Sequence, residues 1–323
     1  MTLSQPCVSV VVPVRDRREM LAALLKALAD QTYRDFEVVV VDDGSTDGSG
    51  EAAESAAGLD IRLVQTPGVG AVEARKRGVV ASRGEILAFT DSDCIPDPAW
   101  LENSVAAFVD GVDLVQGRTE PIRPMGLLER SVSVDREDGL YATCNVLYRR
   151  DAFERAGGFD DAHALLGFRP GAFGRGLGFG EDALLGWNVR KNGKAIFVPE
   201  ALVRHDVVRP SPIETLRRSW MAGAFPSLVR EIPELRGTLL RHRVFLGTRR
   251  IPLYVFVAAT LLRLRRPAGI AALWWLGARA LHAARVEKSP RELARGVAIE
   301  MAADVVTGAA LFVGSARARR AVM

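Results

Sequence analysis

Glu85-Ile-Leu-Ala-Phe-Thr-Asp91-Ser92-Asp93-Cys-Ile-Pro-Asp97-Pro98 is the stretch from which the rest of the chain is read. The apolar run Ile86 to Phe89 has the length of a buried parallel strand. It empties into two carboxylates one residue apart, and then into prolines that forbid further strand. Carboxylates at i and i+2 just past a strand can face one hard cation together, and a cation that keeps open positions can hold the diphosphate of a nucleotide. The triplet alone carries little, since D-x-D arises by chance roughly once in a chain this long. Its place at a strand end is what gives it weight.

Working outward, the same unit recurs. Val8 to Val12 is a β-branched run that Pro13 is expected to stop, followed by the loop Val14 to Glu19 and the helical pattern Met20, Leu21, Leu24, Leu25, Leu28. Phe36 to Val41 is a second buried strand, and it ends in Asp42-Asp43-Gly44-Ser45-Thr46-Asp47. Gly44 permits a tight turn, and Ser45, Thr46 or Asp47 can cap a helix running to about Ala57. Ile61 to Gln65 is a third strand and Val69 to Ser82 a helix. Such alternation demands right-handed crossovers and an α/β fold with a mostly parallel sheet, in which ligands bind beyond the carboxyl ends of the strands. Pro13-Val14-Arg15, Asp42 to Ser45 and Asp91-Ser92-Asp93 all fall at such ends. Capping and turn formation are the competing explanation for Asp42, Asp43 and Asp47.

Beyond Pro98, the spacing of Trp100, Leu101, Val105 and Phe108 predicts a helix on the sheet, and Asp113 to Gly117 a short strand. Periodicity weakens from Arg118 to Asp138. Tyr141 to Tyr148 is apolar again, and a short helix follows that Gly157-Gly158 closes. The segment 159–182 is rich in glycine and carries Arg169 and Arg175, a composition that suits a lid over an anionic ligand or a flexible surface excursion. It delivers the chain to Glu181-Asp182, where Leu184, Leu185, Trp187 and Val189 keep helical spacing. Acid in a first turn favours the helix dipole, which accounts for Glu181.

With 323 residues, 48% hydrophobic and 25% charged, the chain can bury a large α/β domain and carry an appendage. Residues 1–215 are expected to form the sheet domain, with a nucleotide half at 1–118 and an acceptor half at 119–215. Residues 216–323 form a helical, partly apolar region. The net charge is only +4, yet arginines crowd this last third, among them Arg249, Arg250, Arg263, Arg265 and Arg266. That favours an anionic lipid surface over nucleic acid, for which there is neither zinc-finger spacing nor an aromatic ladder. Cys7, Cys94 and Cys144 lie at no metal-ligand spacing and read as reduced thiols, and no charged leader with an apolar run opens the chain. A cytoplasmic protein is expected, peripheral or monotopic at the inner face of the cell membrane. In the tail, Ile251 to Leu262 and Ala268 to Ala278 fall short of the roughly 20 residues of a simple span, and Gly296 to Ala316 carries Glu300 and Asp304. Helices lying in the membrane surface, a re-entrant or spanning hairpin, and a soluble helical cap or dimer surface all remain open.

Eight motifs in order resemble a family 2 glycosyltransferase of the GT-A fold, a group of inverting enzymes that use nucleotide-diphosphate sugars. They are Val10-Val-Val-Pro-Val-Arg15, Val40-Val-Asp-Asp-Gly-Ser45, Ala74-Arg-Lys-Arg-Gly78, Phe89-Thr-Asp-Ser-Asp93, Asn145 to Arg149, Gly157-Gly-Phe-Asp160, Gly180-Glu-Asp182 and Val203-Arg-His205. The resemblance implies that Pro13, Val14 and Arg15 line the nucleotide, that Asp42, with Asp43 beside it, meets the base, and that Arg75 lies near base or ribose. It implies that Asp93 binds Mn2+ or Mg2+ directly, that Asp91 contacts ribose or metal-bound water with Ser92 between them, and that Asp182 is the catalytic base. His205 is similar to a histidine that closes the metal shell in part of the family; the alternative is a structural histidine. Asn145, Arg169, Arg175, Glu181 and Trp187 are left as acceptor or lid candidates. Leu216-Arg-Arg-Ser-Trp220 lacks the glutamine of the processive synthases' signature, so a non-processive enzyme is expected.

The implied partners are a UDP-sugar donor and a glycan or lipid-linked acceptor of the cell envelope. Two other classes compete. A sugar nucleotidyltransferase would favour a glycine-rich, lysine-containing loop after the first strand, where this chain has Pro13-Val-Arg-Asp-Arg17. A non-catalytic nucleotide-sugar-binding protein would have no use for Asp182.

Overall fold

The computed structural model describes residues 7–159, 179–287 and 289–323. They belong to two compact units, the first within 1–206 apart from 124–130, the second comprising 124–130 and the chain from 207 onward. The expected boundary at 215 falls inside the helix Pro212–Met221 of the second unit. Arg169 and Arg175, with the rest of 160–178, lie outside the described residues.

The first unit opens as β1 (Val8–Val14), α1 (Arg18–Ala29), β2 (Phe36–Asp42), α2 (Ser49–Glu54), β3 (Ile61–Gln65), α3 (Ala71–Ala81) and β4 (Ile86–Phe89). β1 lies between β2 and β4, β2 also pairs with β3, and all four run parallel. Neighbours on both edges and helices on both faces leave no solvent side, which is why β1 and β2 read as unbroken valine runs. Val8, Val10, Val11, Val12 and Val38 to Val41 are fully buried. One face packs on Leu21, Leu24 and Leu28 of α1 and on Trp100. The other packs on an aromatic cluster in which the Phe89 ring lies 5.1 Å from that of Phe159 and 5.8 Å from that of Phe153.

The second half continues as β5 (Cys94–Pro96), α4 (Trp100–Ala106), β6 (Val112–Pro121), β7 (Val146–Arg149), α5 (Arg150–Arg155), α6 (Glu181–Arg190) and β8 (Lys194–His205). The full order is β3-β2-β1-β4-β7-β6-β8-β5. β7 is antiparallel to β4 and β6, and β5 is antiparallel to β8, within a sheet that is otherwise parallel.

Three sequence expectations are corrected. Pro13 does not end β1, which runs to Val14; pairing with β4 stops at Val11, so no partner on that side needs the amide hydrogen that proline lacks. The prolines after Asp93 do not forbid strand: Cys94–Pro96 is a three-residue strand at the sheet's edge, where proline is tolerated. β8 was not anticipated. Pro199 and Glu200 interrupt its apolar pattern, and it pairs with β6 in two blocks separated by a register shift between Gly117 and Thr119.

In the second unit, Ser211 caps Pro212–Met221 by accepting the Glu214 amide. The helices Phe225–Glu231, Ile251–Leu261, Arg265–Val286 and Pro290–Ala318 follow. The last is, among the described residues, the one helix long and apolar enough to cross a membrane. Its buried positions Glu300, Asp304, Thr307, Leu311 and Gly314 recur every three or four residues and form one inward stripe. Asp304 is fully buried and held by Arg249, by Arg279 at 2.8 Å and by the Trp275 indole at 3.1 Å. A Cβ on Gly314 would stand 2.1 Å from the Gly223 carbonyl oxygen, so only glycine lets these segments meet.

Gly78 sets the approach of α3 to the sheet, since a Cβ there would lie 2.5 Å from a Val11 methyl and 3.0 Å from a Val41 methyl, both buried. Helix propensity would favour alanine by about 1 kcal/mol, while overpacking a filled core costs about 1–3 kcal/mol. Gly78→Ala is therefore expected to be neutral to destabilising in urea denaturation. A clear gain in stability would show that α3 is free to shift.

Candidate active site

The carboxyl ends of β1, β2 and β4 bring three loops together, as parallel topology requires. The first two are tied to each other: the Asp16 amide donates to Ser45 Oγ at 3.0 Å, and the Thr46 amide donates to Asp16 Oδ1 at 2.8 Å. Asp42 ends β2 nearly buried. Its Oδ1 accepts the Ser45 amide at 2.9 Å, and its Oδ2 would lie 2.9 Å from a Cβ on Gly50. Asp43 is occupied structurally, accepting the Thr66 hydroxyl and the amides of Val69 and Gly70. Burial works against its charge, but those bonds and Arg15 outweigh it and lower its pKa. The Arg15 guanidinium lies over Gly68, whose Cβ position is 3.0 Å from Nη1.

Past β4, Asp91 and Asp93 part company. Asp91 Oδ1 meets Arg75 Nη2 at 2.5 Å, and Arg75, rising from α3, is itself buried. Burial opposes the Arg75 charge; Asp91, then Glu181 and Asp182, overcome it and raise its pKa. One guanidinium thus sits among the D-x-D pair's first acid and both acids that open α6. Burial first, then Glu181, pushes the Asp182 carboxyl up to about 8, while the Ala183 amide and Arg75 pull it back. The buried Tyr148 hydroxyl, on β7, also senses Asp182. Among the described residues Arg75 Nε and Glu181 Oε2 are buried with no hydrogen-bond partner, an unusual state for charged groups and one that a polar ligand would relieve.

Asp93 has other partners, Arg17 and His205. β5 pairs antiparallel with β8 so that Cys94 opposes His205, and the Asp206 amide donates to the Asp93 carbonyl at 2.9 Å. His205 Nε2 then stands 3.6 Å from Asp93 Oδ1, with side-chain exposures of only 12% and 8%. That separation is long for a hydrogen bond and suits two ligands of one ion. The Asp206 carbonyl, 2.9 Å from His205 Nδ1, can only accept, so in the neutral ring Nδ1 carries the proton and Nε2 offers its lone pair outward. Ser131 supports the same ring, with its Oγ 3.3 Å from Nδ1.

Asp93, Cys94 and His205 offer ligand atoms within 4.8 Å of one another. The Cys94 thiol is hydrogen-bonded to Cys144 and buried, with Asp91 and Asp93 beside it, all of which raise its pKa, and a soft sulfur is a poor match for a hard cation that must also hold phosphate. What remains, one carboxylate and one neutral imidazole, fits a divalent cation that fills its other positions with phosphate and water. Arg17, from the loop after β1, is ion-paired with Asp93 Oδ2. The sequence reading passed over it, although its place directly behind a strand end was a usable signal. Nothing local marks Ser131, which reaches the site only through the fold.

Two acceptor candidates are otherwise engaged. Asn145 is buried, accepting the Trp100 indole at 2.8 Å and donating to the carbonyls of Arg118 and Ala201. Trp187 donates to the Gly139 carbonyl at 2.9 Å and carries Arg190 over its ring at 5.0 Å. Both lock the sheet and α6 in place. Pro13 and Val14 end β1 beside this rim, and Ser92 is buried between the two acids.

A mostly parallel sheet with acidic loops along one edge defines a GT-A-like nucleotide-sugar fold. Residues 9–159, a little under half of the chain, match the model of glycosyl transferase family 2. The chain is 35% identical over 185 residues to glycosyltransferase AglE of Haloferax volcanii, covering 52% of this chain and 60% of AglE. It therefore spans less than two thirds of that relative. Among solved structures it resembles the mannosyltransferase PcManGT of Pyrobaculum calidifontis in complex with GDP-Man and Mn2+, with a TM-score of 0.54 and 21% identity over 98% of this chain and 87% of the other. It also resembles S. aureus TarS 1–349 in complex with UDP-GlcNAc, with a TM-score of 0.52 and 19% identity over 97% of this chain and 92% of the other. At these identities the likeness concerns the fold.

The raised carboxyl of Asp182 has a consequence for stability. An unfolded aspartate titrates near 3.9, so between about pH 4 and 8 the folded chain keeps a proton that the unfolded chain has lost. Stability from this group is present at low pH and falls as the pH rises through that window. Asp182→Asn cannot titrate, so its melting temperature is expected to gain on the wild type from pH 5 to pH 8. A constant difference across that range would mean that Asp182 ionises as it does in water.

Proposed function

We propose that this chain is an inverting, non-processive glycosyltransferase that moves a sugar from a nucleotide-diphosphate donor to a hydroxyl acceptor. The observation that carries the proposal is the division of acids within the sheet unit: Asp93 faces an imidazole that presents its lone pair, while Asp182 shares the Arg75 guanidinium with Asp91 and is held near neutrality. Asp42 and the turn at Gly44 take the base and Arg75 holds Asp91 toward the ribose. Arg17, partly exposed on Asp93, is long enough to turn to phosphate oxygens.

Asp182 takes the proton of the acceptor hydroxyl as that oxygen bonds to the anomeric carbon. On the opposite face the bond from carbon to the diphosphate oxygen breaks, its electrons leave with the nucleotide, and the configuration inverts. A carboxyl poised near the operating pH suits such a base. A divalent cation held by Asp93 and His205, with Mn2+ or Mg2+ the best chemical match, supplies charge neutralisation for the departing diphosphate.

The membrane-facing reading of the tail rests on the helix Arg265–Val286. Ile270, Leu273, Trp274 and Leu281 form one exposed apolar stripe, opposite the buried Ala271, Trp275, Arg279 and Ala283. Arg263, Arg265 and Arg266 lie at the turn into this helix. An exposed apolar stripe beside cations fits the surface of an anionic bilayer, and such attachment favours a lipid-linked or envelope acceptor.

Two measurements test these readings. Incubated with UDP- and GDP-sugars, the protein should release nucleotide in a Mn2+- or Mg2+-dependent manner. Asp93→Asn should abolish that dependence; Asp182→Asn should keep nucleotide affinity while turnover falls by about 10²–10⁴. Full turnover in Asp182→Asn would remove the base from its role. In flotation assays the protein should bind phosphatidylglycerol vesicles at low salt, and Leu273→Asp with Trp274→Asp should release it. Unchanged flotation of that pair would place the contact elsewhere.

A further inference from the structure

The second unit contains a cavity of about 700 Å³ whose polar lining the proposed transfer does not use. Its walls join apolar side chains, among them Leu128, Leu246 and Val286, to four arginines, Arg130, Arg218, Arg249 and Arg250, to His282, and to two acids, Glu129 and Glu300. Two of these charges are more than nine-tenths buried. Arg250 donates through Nη2 to the Leu246 carbonyl at 2.6 Å and through Nε to the Tyr254 hydroxyl at 3.4 Å, both neutral acceptors. Among the described residues it makes no ion pair with a carboxylate. Glu300 keeps His282 3.7 Å from Oε1, but among the described residues its buried Oε2 has no hydrogen-bond partner.

The contrast with Asp304, one turn further along the same helix, shows that this is not how the bundle treats its structural charges. Asp304 is enclosed by two arginines and an indole. A buried guanidinium without an acid and a buried carboxylate oxygen without a donor, in one cavity and not paired with each other, leave both groups short of the partners that burial demands. A single ligand can satisfy both if it carries a phosphate for the arginines and a hydroxyl for Glu300.

The surroundings indicate that such a ligand is an amphiphile. Val286, on the cavity wall at the end of Arg265–Val286, is itself exposed. A smaller cavity of about 350 Å³ shares Arg249 and His282 with the first and is walled by Pro252 and the exposed Trp274. A free phosphate ester would have no use for these surfaces, whereas an acyl or prenyl chain attached to the phosphate would cover them.

We propose that this cavity is a binding site for the headgroup of an anionic lipid, a phosphate ester bearing hydroxyls, with Arg250 on the phosphate and Glu300 accepting from a hydroxyl. The site needs neither sugar transfer nor attachment to a bilayer. Its test therefore uses single lipid molecules in place of vesicles or turnover.

Dihexanoyl phosphatidylglycerol, kept below its micelle concentration, should bind the full chain with 1:1 stoichiometry in calorimetry. Arg250→Gln should weaken binding by about tenfold or more, as expected for loss of a charged hydrogen bond, and Arg250→Lys should recover part of it. Should the Arg250 variants fail to fold, Arg218→Gln, whose side chain is 30% exposed, should still weaken binding by a few fold. Equal binding of dihexanoyl phosphatidylcholine, or affinity unchanged in the folded arginine variants, would overturn the site. Glycerol 3-phosphate binding as tightly as the lipid would overturn the lipid assignment and leave a free phosphate ester as the ligand.

Discussion

The antiparallel contact of β5 with β8 is the constraint on which the site depends. Without it the acidic loop after β4 would be a strand end like those after β1 and β2, with carboxylates spent on turns and caps. The three-residue edge strand pins Cys94 opposite His205, and the backbone bond from Asp206 to the Asp93 carbonyl closes the ladder. Asp93 and His205 are then held by main chain, leaving their side chains one shared direction. Rigid backbone on both sides keeps the carboxylate and the imidazole at a fixed spacing.

A second consequence is electrostatic. Sheet and helices enclose Arg75, and a buried guanidinium is tolerated only because acids surround it. One cation cannot satisfy Asp91, Glu181 and Asp182 equally. Asp91 has the direct contact at 2.5 Å, and Asp182, crowded by Glu181 and by burial, is the acid that stays near neutrality. A carboxyl that burial and an acidic neighbour hold toward its protonated form is a candidate for acid–base work. Asp91 differs from it in geometry, through its direct contact with Arg75.

The second unit shows the same physics put to a different use. Asp304 is met by two arginines and an indole and fastens two helices and the turn before Ile251–Leu261, whereas Arg250 and Glu300 are left incomplete at a cavity wall. The helix that carries Asp304 has the length and hydropathy of a membrane span. Two acids on its inward stripe give it a polar interior seam, which suits a bundle more than an isolated crossing of lipid.

Much of the fold was legible in the residues. Unbroken valine runs ending in acid and separated by helical spacing admit little besides a parallel sheet with its ligands at the carboxyl edge, because only strands buried on both faces can be apolar at every position. Asp91 and Asp93 could be named for the same reason, whereas Arg75 was named only through the resemblance. Local pattern could not reveal β8, since a strand broken by Pro199 and Glu200 is defined by its partners, nor that Pro96 would lie in an edge strand. It could not show that Asn145 and Asp43 would be consumed by structural hydrogen bonds, or that Arg17 and Ser131 would reach Asp93 and His205. Those assignments depend on which backbone groups meet across the sheet. Hydrophobic periodicity determined which segments are strands and helices, while only tertiary pairing decided which acids face a ligand and which are spent holding the chain together.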